Sequence, residues 1–374
     1  MTRPRVAVAG LGDSGLLTAV HLARHVDIVG ISTRPGLVSG RELGTRLTRP
    51  DVWARDHWVT FDRYRRLDGV RTVHGIVTGV DLEDHRLAVT TADGQVTEEP
   101  FDVLIVATGV SNGFWRRPGL QAAEDIAADL TAHHARLHDA TSIAVLGGGA
   151  AGVSSALNLA ATWPDHRIDL YYPGDRILPH HHARVADVLQ GRLRGRGVGL
   201  HPGHRAAVPD DFDGDRITDA PIAWSTGQAP VTADAVLWTI GRVRPNTSWL
   251  PSSLLDEHGF VRVDSTLRTP GYRGVFAIGD VAATDPLRSS ARGRADRLLA
   301  HNVRAELAGR PLREFRPARR RWGSVVGAQP NGLEVFTPRG RSFRFPAWTL
   351  RWLLEHLIVR RGIYKGVRHA SGGR

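Results

Sequence analysis

The sequence predicts a doubly wound α/β architecture, and three observations carry that prediction. Short apolar runs end repeatedly in glycine, at residues 6–10, 103–109, 143–147, 235–241 and 275–279. Helical patterns lie between them, at 14–25, 122–138, 152–162 and 183–193. Two of the runs pass directly through a glycine-rich turn into a helix. Near-continuous apolar strands suit a parallel sheet covered on both faces, and alternation of strand with helix builds one. Alternating stretches at 72–80 and 86–91, followed by the turn Ala92-Asp93-Gly94, predict an antiparallel appendage. From about Pro311 the chain becomes rich in Arg, Trp and Phe and reads as a separate small C-terminal region.

The first glycine-rich turn is Gly10-Leu11-Gly12-Asp13-Ser14-Gly15. Gly10 permits a tight turn, Gly12 lets a pyrophosphate approach the backbone, and Gly15 lets helix and strand pack closely. The anion then meets free N–H groups at the helix N-terminus, which places Asp13 and Ser14 in the candidate site as well. The second turn is Gly147-Gly148-Gly149-Ala150-Ala151-Gly152, in the same strand-to-helix context. Gly147, Gly149, Ala150, Ala151 and Gly152 are its candidate residues. Two such units imply two dinucleotide sites or one internal duplication. Each also reads as a glycine-rich turn that binds nothing.

Three other strand ends fit the same picture. One closes in Ala107-Thr108-Gly109 and another in Thr239-Ile240-Gly241-Arg242. The third closes in Ala277-Ile278-Gly279-Asp280. A carboxylate at Asp280 can accept a hydrogen bond from a ribityl hydroxyl, and the backbone N–H of Val281 can meet a flavin phosphate or ring oxygen.

Composition sets the bounds. A length of 374 residues admits two or three domains, each with its own core. Cysteine is absent, which excludes a disulfide framework, a thiolate metal site and a redox dithiol within this sequence. The formal charge of +11 is almost wholly arginine, since Lys365 is the only lysine. That excess attracts acidic partners non-specifically, but no nucleic-acid-binding motif accompanies it. No stretch reaches the apolar length that crosses a bilayer. Residues 1–5 run straight into Val6-Ala7-Val8-Ala9 with no leader pattern, so a cytoplasmic enzyme is expected.

The ordered set of glycine turns, Ala-Thr-Gly, Ile-Gly-Arg and Ala-Ile-Gly-Asp resembles flavoproteins with two dinucleotide-binding domains, the pyridine nucleotide-disulfide oxidoreductase superfamily. The match spans roughly residues 3–310. Lacking cysteine, the chain is most similar to the branch of apoptosis-inducing-factor-like and ferroptosis-suppressor-like proteins and type II NADH:quinone oxidoreductases. Trp322-Gly323-Ser324, Pro330-Asn331-Gly332 and the amphipathic segment 348–364 resemble the C-terminal region of that branch.

The resemblance implies two Rossmann-like doubly wound domains, the second inserted in the first. Residues 1–112 and 232–310 would form the FAD-binding domain and 113–231 the NAD(P)-binding domain. Residues 311–374 would form a C-terminal region with an amphipathic helix. FAD would lie extended from residues 10–15 to Asp280, with Ser32, Arg34, Val77, Ala107, Thr108, Gly109, Gly279 and Val281 completing its site. NAD(P)H would bind the second domain, with Tyr172, Arg176, Gly241 and Arg242 in its site and its nicotinamide against the flavin. The implied activity is hydride transfer through flavin N5 to a quinone or small organic acceptor, without a dithiol. A flavin-dependent tailoring enzyme of secondary metabolism, making little use of NAD(P)H, and a non-catalytic flavin-binding protein are the alternatives.

Three departures from the family pattern bear on details. After the second strand Ser32 stands where an acidic residue should grip the adenosine ribose, and a hydroxyl holds it more weakly than a carboxylate. The second helix opens Gly152-Val153-Ser154 where many relatives carry a glutamate that contacts the nicotinamide half. Beyond the following strand, the selector position falls at Tyr172, with Asp175 favouring NADH and Arg176 favouring NADPH. Past Asp280, Arg288, Arg292 and Arg294 replace a glutamine-containing helix. Near the isoalloxazine they would favour an anionic or hydroxylated acceptor over a bare quinone; otherwise they face solvent or an acidic loop.

His180-His181-His182 reads as a solvated loop rather than a metal site, because adjacent histidines cannot all face one ion. In the tail, Leu350, Leu353, Leu354, Leu357 and Ile358 fall on one α-helical face, with Trp348 and Trp352 at its border. Such a helix lies on an anionic membrane, packs on its own domain, or joins a second subunit in a homodimer.

Overall fold

The computed structural model describes residues 3–38, 43–111, 118–210, 212, 214–240, 243–291 and 295–368. The chain opens with β1 (Arg5–Ala9), α1 (Asp13–Leu22) and β2 (Asp27–Ser32). A short antiparallel pair follows, β3 (Gly36–Val38) and β4 (Trp58–Thr60), with α2 (Leu43–Thr48) and α3 (Pro50–His57) between its strands in sequence. Then β5 (Val70–Asp81), β6 (Arg86–Thr91) and β7 (Val96–Pro100) form an antiparallel meander, and β8 (Val103–Val106) returns beside β1.

After β9 (Val110–Ser111), α4 (Ala123–Asp139) leads to a second unit. It comprises β10 (Ser142–Leu146), α5 (Ala150–Thr162), β11 (Arg167–Tyr171), α6 (Ala183–Gly195), β12 (Gly199–His201) and β13 (Ala235–Trp238). β14 (Arg244–Pro245) pairs with β9, β15 (Val275–Ala277) rejoins the first sheet, and α7 (Ala295–Leu307) packs on α1. Last come β16 (Ala328–Gln329), β17 (Gly332–Phe336) and β18 (Ser342–Pro346), an antiparallel sheet ahead of a helix at Leu350–Ile363.

The first sheet runs β15-β8-β1-β2-β5-β6-β7 and is parallel from β15 to β5. The second runs β12-β11-β10-β13 and is parallel throughout. Both satisfy the expected α/β class. β8 shows why: all four of its residues, Val-Leu-Ile-Val, are at most 1% exposed, so both faces of the strand are covered. Each such side chain contributes about 1.5–3 kcal/mol of burial. Register then fixes the site. Ala9 pairs with Ile31 and Val106, and Val106 pairs with Ala277, so the turns after β1, β8 and β15 emerge side by side. Leu146 likewise sits between Tyr171 and Trp238, which brings the ends of β10, β11 and β13 together.

Two features depart from the sequence reading. The C-terminal helix is wound as a π-helix, not as an α-helix. Its hydrogen bonds run i to i+5, so residues spaced by three no longer share one side. Leu353 and Leu357 are half-buried, while Trp352 and Ile358 are exposed. The tail beyond it is strapped to the first unit. Arg368 binds Asp68 through both guanidinium ends, at 2.8 and 2.6 Å, and Arg65 N–H donates to the Gly366 carbonyl at 3.1 Å. Tyr364 meets Tyr64 edge-on and reaches the Asp13 carboxylate with its hydroxyl.

Candidate functional site

The first glycine turn divides its three roles cleanly. Gly10 has φ +102, and a Cβ there would lie 2.4 Å from the Ala107 carbonyl oxygen. At Gly15 a Cβ would fall 1.9 Å from the Gly10 oxygen, so this glycine exists for packing. Gly12 differs from both, because a Cβ there would meet nothing within 4 Å. Its backbone faces open space at the N-terminus of α1, where unpaired N–H groups attract an anion.

That space is one end of a cleft of about 400 Å³, in the range that holds a small-molecule ligand. Gly10, Gly12, Asp13 and Ser14 wall the end at α1, and Ser32, Arg34 and Val77 flank it. Ala107, Thr108, Gly109, Gly279 and Asp280 complete the far part. Gly15 and Val281 are buried behind these walls. The cleft suits an extended dinucleotide, with room for phosphate at Gly12 and a carboxylate at Asp280. Where β8 ends, Asn246 clasps the wall. Its side-chain amide donates to the Thr108 carbonyl at 3.0 Å, Thr108 Oγ1 donates to the Asn246 carbonyl at 2.8 Å, and Ser111 Oγ donates to Asn246 Oδ1 at 2.8 Å. Asn246 is not among the residues that the sequence marks as candidates for the site.

The second turn repeats the first. Gly147 has φ +119 and abuts Thr239, and a Cβ on Gly152 would fall 1.8 Å from the Gly147 oxygen. Gly149 again faces open space at a helix N-terminus, with Ala150 and Ala151 opening α5. The same division of labour at both turns is a structural duplication, down to which glycine stays uncovered.

The other candidate residues lie as follows. Tyr172 is 2% exposed and belongs to the core beside Ile177, with a Cβ on Gly148 only 2.8 Å from its own Cβ. Asp175 and Arg176 are exposed, and Arg176 lies 3.8 Å from Asp187. Gly241, Arg242, Arg292 and Arg294 lie outside the described residues. Ser32 Oγ accepts the Arg34 backbone N–H at 3.2 Å, closing a local turn, while Arg34 Nε donates to Gln121 Oε1 at 2.8 Å. Ser154 is 4% exposed beneath the C-terminal region, where Asn158 donates to the Val326 carbonyl at 3.0 Å. His182 caps α6 by accepting the Arg184 N–H, and among the described residues no cluster could hold a metal ion.

Comparison with known proteins places this geometry. A family model described as "Pyridine nucleotide-disulphide oxidoreductase" matches residues 4–309. The chain is 25% identical to "FAD-dependent oxidoreductase FVFD30" of Flammulina velutipes, covering 65% of this chain and 74% of that one. It is 26% identical to "Type II NADH:quinone oxidoreductase Ndh" of Mycobacterium tuberculosis, covering 84% and 75%. Among solved structures, the water-forming NADH oxidase of Lactobacillus brevis bound to NADH shares the fold, with a TM-score of 0.63. The identity there is 19%, over 83% of this chain and 71% of that one. With the match running from β1 to the end of α7, the chain belongs to the pyridine nucleotide-disulphide oxidoreductase family.

Proposed function

We propose that the chain is an FAD-dependent NAD(P)H oxidoreductase that delivers electrons to a quinone or small organic acceptor. FAD and NAD(P)H are the cofactors of its family. The observation that carries the reading is the pair of uncovered glycines, Gly12 and Gly149, each at a helix N-terminus beyond a parallel strand. When bound, FAD supplies hydride acceptance at N5; the chain's own residues bind and orient. In this reading residues 1–112 with 232–310 would hold FAD, 113–231 would hold NAD(P)H, and 311–374 would form a C-terminal region with an amphipathic helix. The N–H groups of α1 would hold the flavin pyrophosphate, and Asp280 would hold the ribityl chain. Those of α5 would hold the nicotinamide pyrophosphate, and the Asn246 clasp ties together the two chain segments that cross between the units. No cysteine stands in the 374 residues, so in this reading no thiol of the chain would take part in electron transfer.

The burial of Ser154 under Val326 favours a second reading, a flavin-dependent tailoring enzyme with little use of NAD(P)H. Anaerobic mixing of the flavin-loaded protein with NADH or NADPH separates them. Rapid bleaching of the flavin band supports the first reading, and a flavin that stays oxidised refutes it.

Among the described residues no helix is long and apolar enough to cross a membrane. We read the segment around Trp348 and Trp352, which are 81% and 65% exposed, as a peripheral contact with an anionic bilayer.

A further inference from the structure

A second cavity, of about 210 Å³, shares Val110, Asp280 and Ala291 with the large cleft and so opens at its Asp280 end. Four arginines, Arg288, Arg316, Arg320 and Arg321, are among the described residues that line it, and Asp280 is the one acidic residue among them. Among the described residues none of the four forms an ion pair. Arg321 Nε is buried and donates to no acceptor among those residues. A buried donor of this kind costs free energy until an acceptor reaches it. Apolar surface from Val110, Phe315 and Trp322 faces the same space.

The walls are built rather than incidental. The segment 315–321, which carries three of the arginines, is pinned at three backbone points. Phe315 N–H donates to the Ser265 carbonyl at 2.6 Å, Ala318 N–H to Ser289 Oγ at 3.1 Å, and Arg321 N–H to the His180 carbonyl at 3.0 Å. Arg288 sits at φ +47, with its guanidinium 4.2 Å above the Phe260 ring. The turn holding it closes on the Asp285 carboxylate, which accepts from Leu287 N, Ser289 N and Ser289 Oγ at 3.0, 2.9 and 2.6 Å. Left-handed backbone at an arginine is costly and persists only where its surroundings enforce it.

We propose that this cavity binds the carboxylate of an aromatic or quinoid electron acceptor, and that its arginines select such acceptors over neutral ones. Guanidinium matches carboxylate in planar, bidentate geometry, and the aromatic walls match a flat ring. The inference rests on the oxidoreductase reading and specifies its acceptor. The overall reaction is NAD(P)H + H⁺ + quinone → NAD(P)⁺ + hydroquinone. The nicotinamide gives up two electrons as hydride, and the quinone gains two electrons and two protons. The carboxylate makes and breaks no covalent bond; it anchors.

The test compares 1,4-naphthoquinone-2-carboxylate with its methyl ester as acceptors for the flavin-loaded protein. We expect kcat/KM for the carboxylate to exceed that of the ester by roughly tenfold or more at low salt, the weight of one charge-assisted contact. That ratio should shrink as ionic strength rises. In Arg321→Gln it should fall toward one. Should that variant fold poorly, the double variant Arg316→Gln/Arg320→Gln, at two exposed positions, must lower the ratio instead. Equal use of acid and ester, or a ratio that survives in both variants, overturns the proposal. Calorimetric titration with the same two quinones, without NAD(P)H, keeps the outcomes separate. If NAD(P)H fails to bleach the flavin, the nucleotide reading falls, while tighter binding of the acid than the ester still supports the cavity's role and equal binding still refutes it.

Discussion

Replacing Gly12 with valine isolates cofactor binding from folding. The residue has φ −70, which any amino acid adopts, and nothing lies within 4 Å of an added Cβ. Its carbonyl accepts the Leu16 N–H at 2.9 Å, a bond that valine leaves intact. The cofactor-free variant should therefore melt with the parent protein. A bound dinucleotide is another matter, because the branched side chain projects into the space a pyrophosphate needs. Displacing it from two charge-assisted N–H contacts removes about 3–6 kcal/mol, or roughly two to four powers of ten in Kd. The assay is flavin absorbance per mole of protein after desalting, with a fluorescence titration for Kd. Gly10→Val supplies the contrast, since at φ +102 and 2.4 Å from the Ala107 oxygen it should lower the melting temperature itself. A Gly12→Val protein that keeps a full flavin complement refutes the assignment of this turn, and one that unfolds refutes the claim that the space is free.

Other expectations follow from the second unit and the tail. Gly149→Val should raise the apparent Kd for NAD(P)H while bound FAD stays in place, read by the concentration dependence of flavin bleaching. Arg176→Ala should weaken NADPH by roughly one to two powers of ten and leave NADH nearly unchanged, and equal weakening of both would make the residue structural. Hydrogen bonds from the Thr141 and Ser142 side chains and backbone hold Asp234 down at about 2. A carboxyl depressed from 3.8 adds stability that is complete above pH 3.8 and lost as pH falls toward 2. Asp234→Asn should thus flatten the melting temperature over that window. Trp348→Ala/Trp352→Ala should reduce cosedimentation with phosphatidylglycerol vesicles, and unchanged binding would remove the membrane reading.

Legibility from sequence followed local determinism. The parallel strands were plain because burial on both faces demands unbroken apolar runs, as at β8. The glycine turns were plain because each glycine answers one steric need. The burial of Tyr172 was not legible, because position after a strand does not say which way the side chain turns; packing against Gly148 takes it into the core. The π-winding of Leu350–Ile363 was hidden because spacing by three and four assumes α-geometry. Neither the Asn246 clasp nor the arginine cavity was legible as a site, since each joins segments far apart in the chain. α2 was missed because its burial depends on α5, where Gly44 approaches Ser154 and Asn158.

The order of the first sheet also sets the order of assembly. All four strands of the second sheet lie within residues 142–238, so that sheet can close as soon as β13 leaves the ribosome. The first sheet begins earlier and finishes later. It lacks its edge strand β15 until Val275–Ala277 is made, and its strap until Arg368 pairs with Asp68. Until β15 is made, β8 presents an open edge of Val-Leu-Ile-Val, a template for pairing with another nascent chain. The unit that starts synthesis is thus the last to be completed, and a chain ended between β13 and β15 would carry one finished sheet beside one with an open edge.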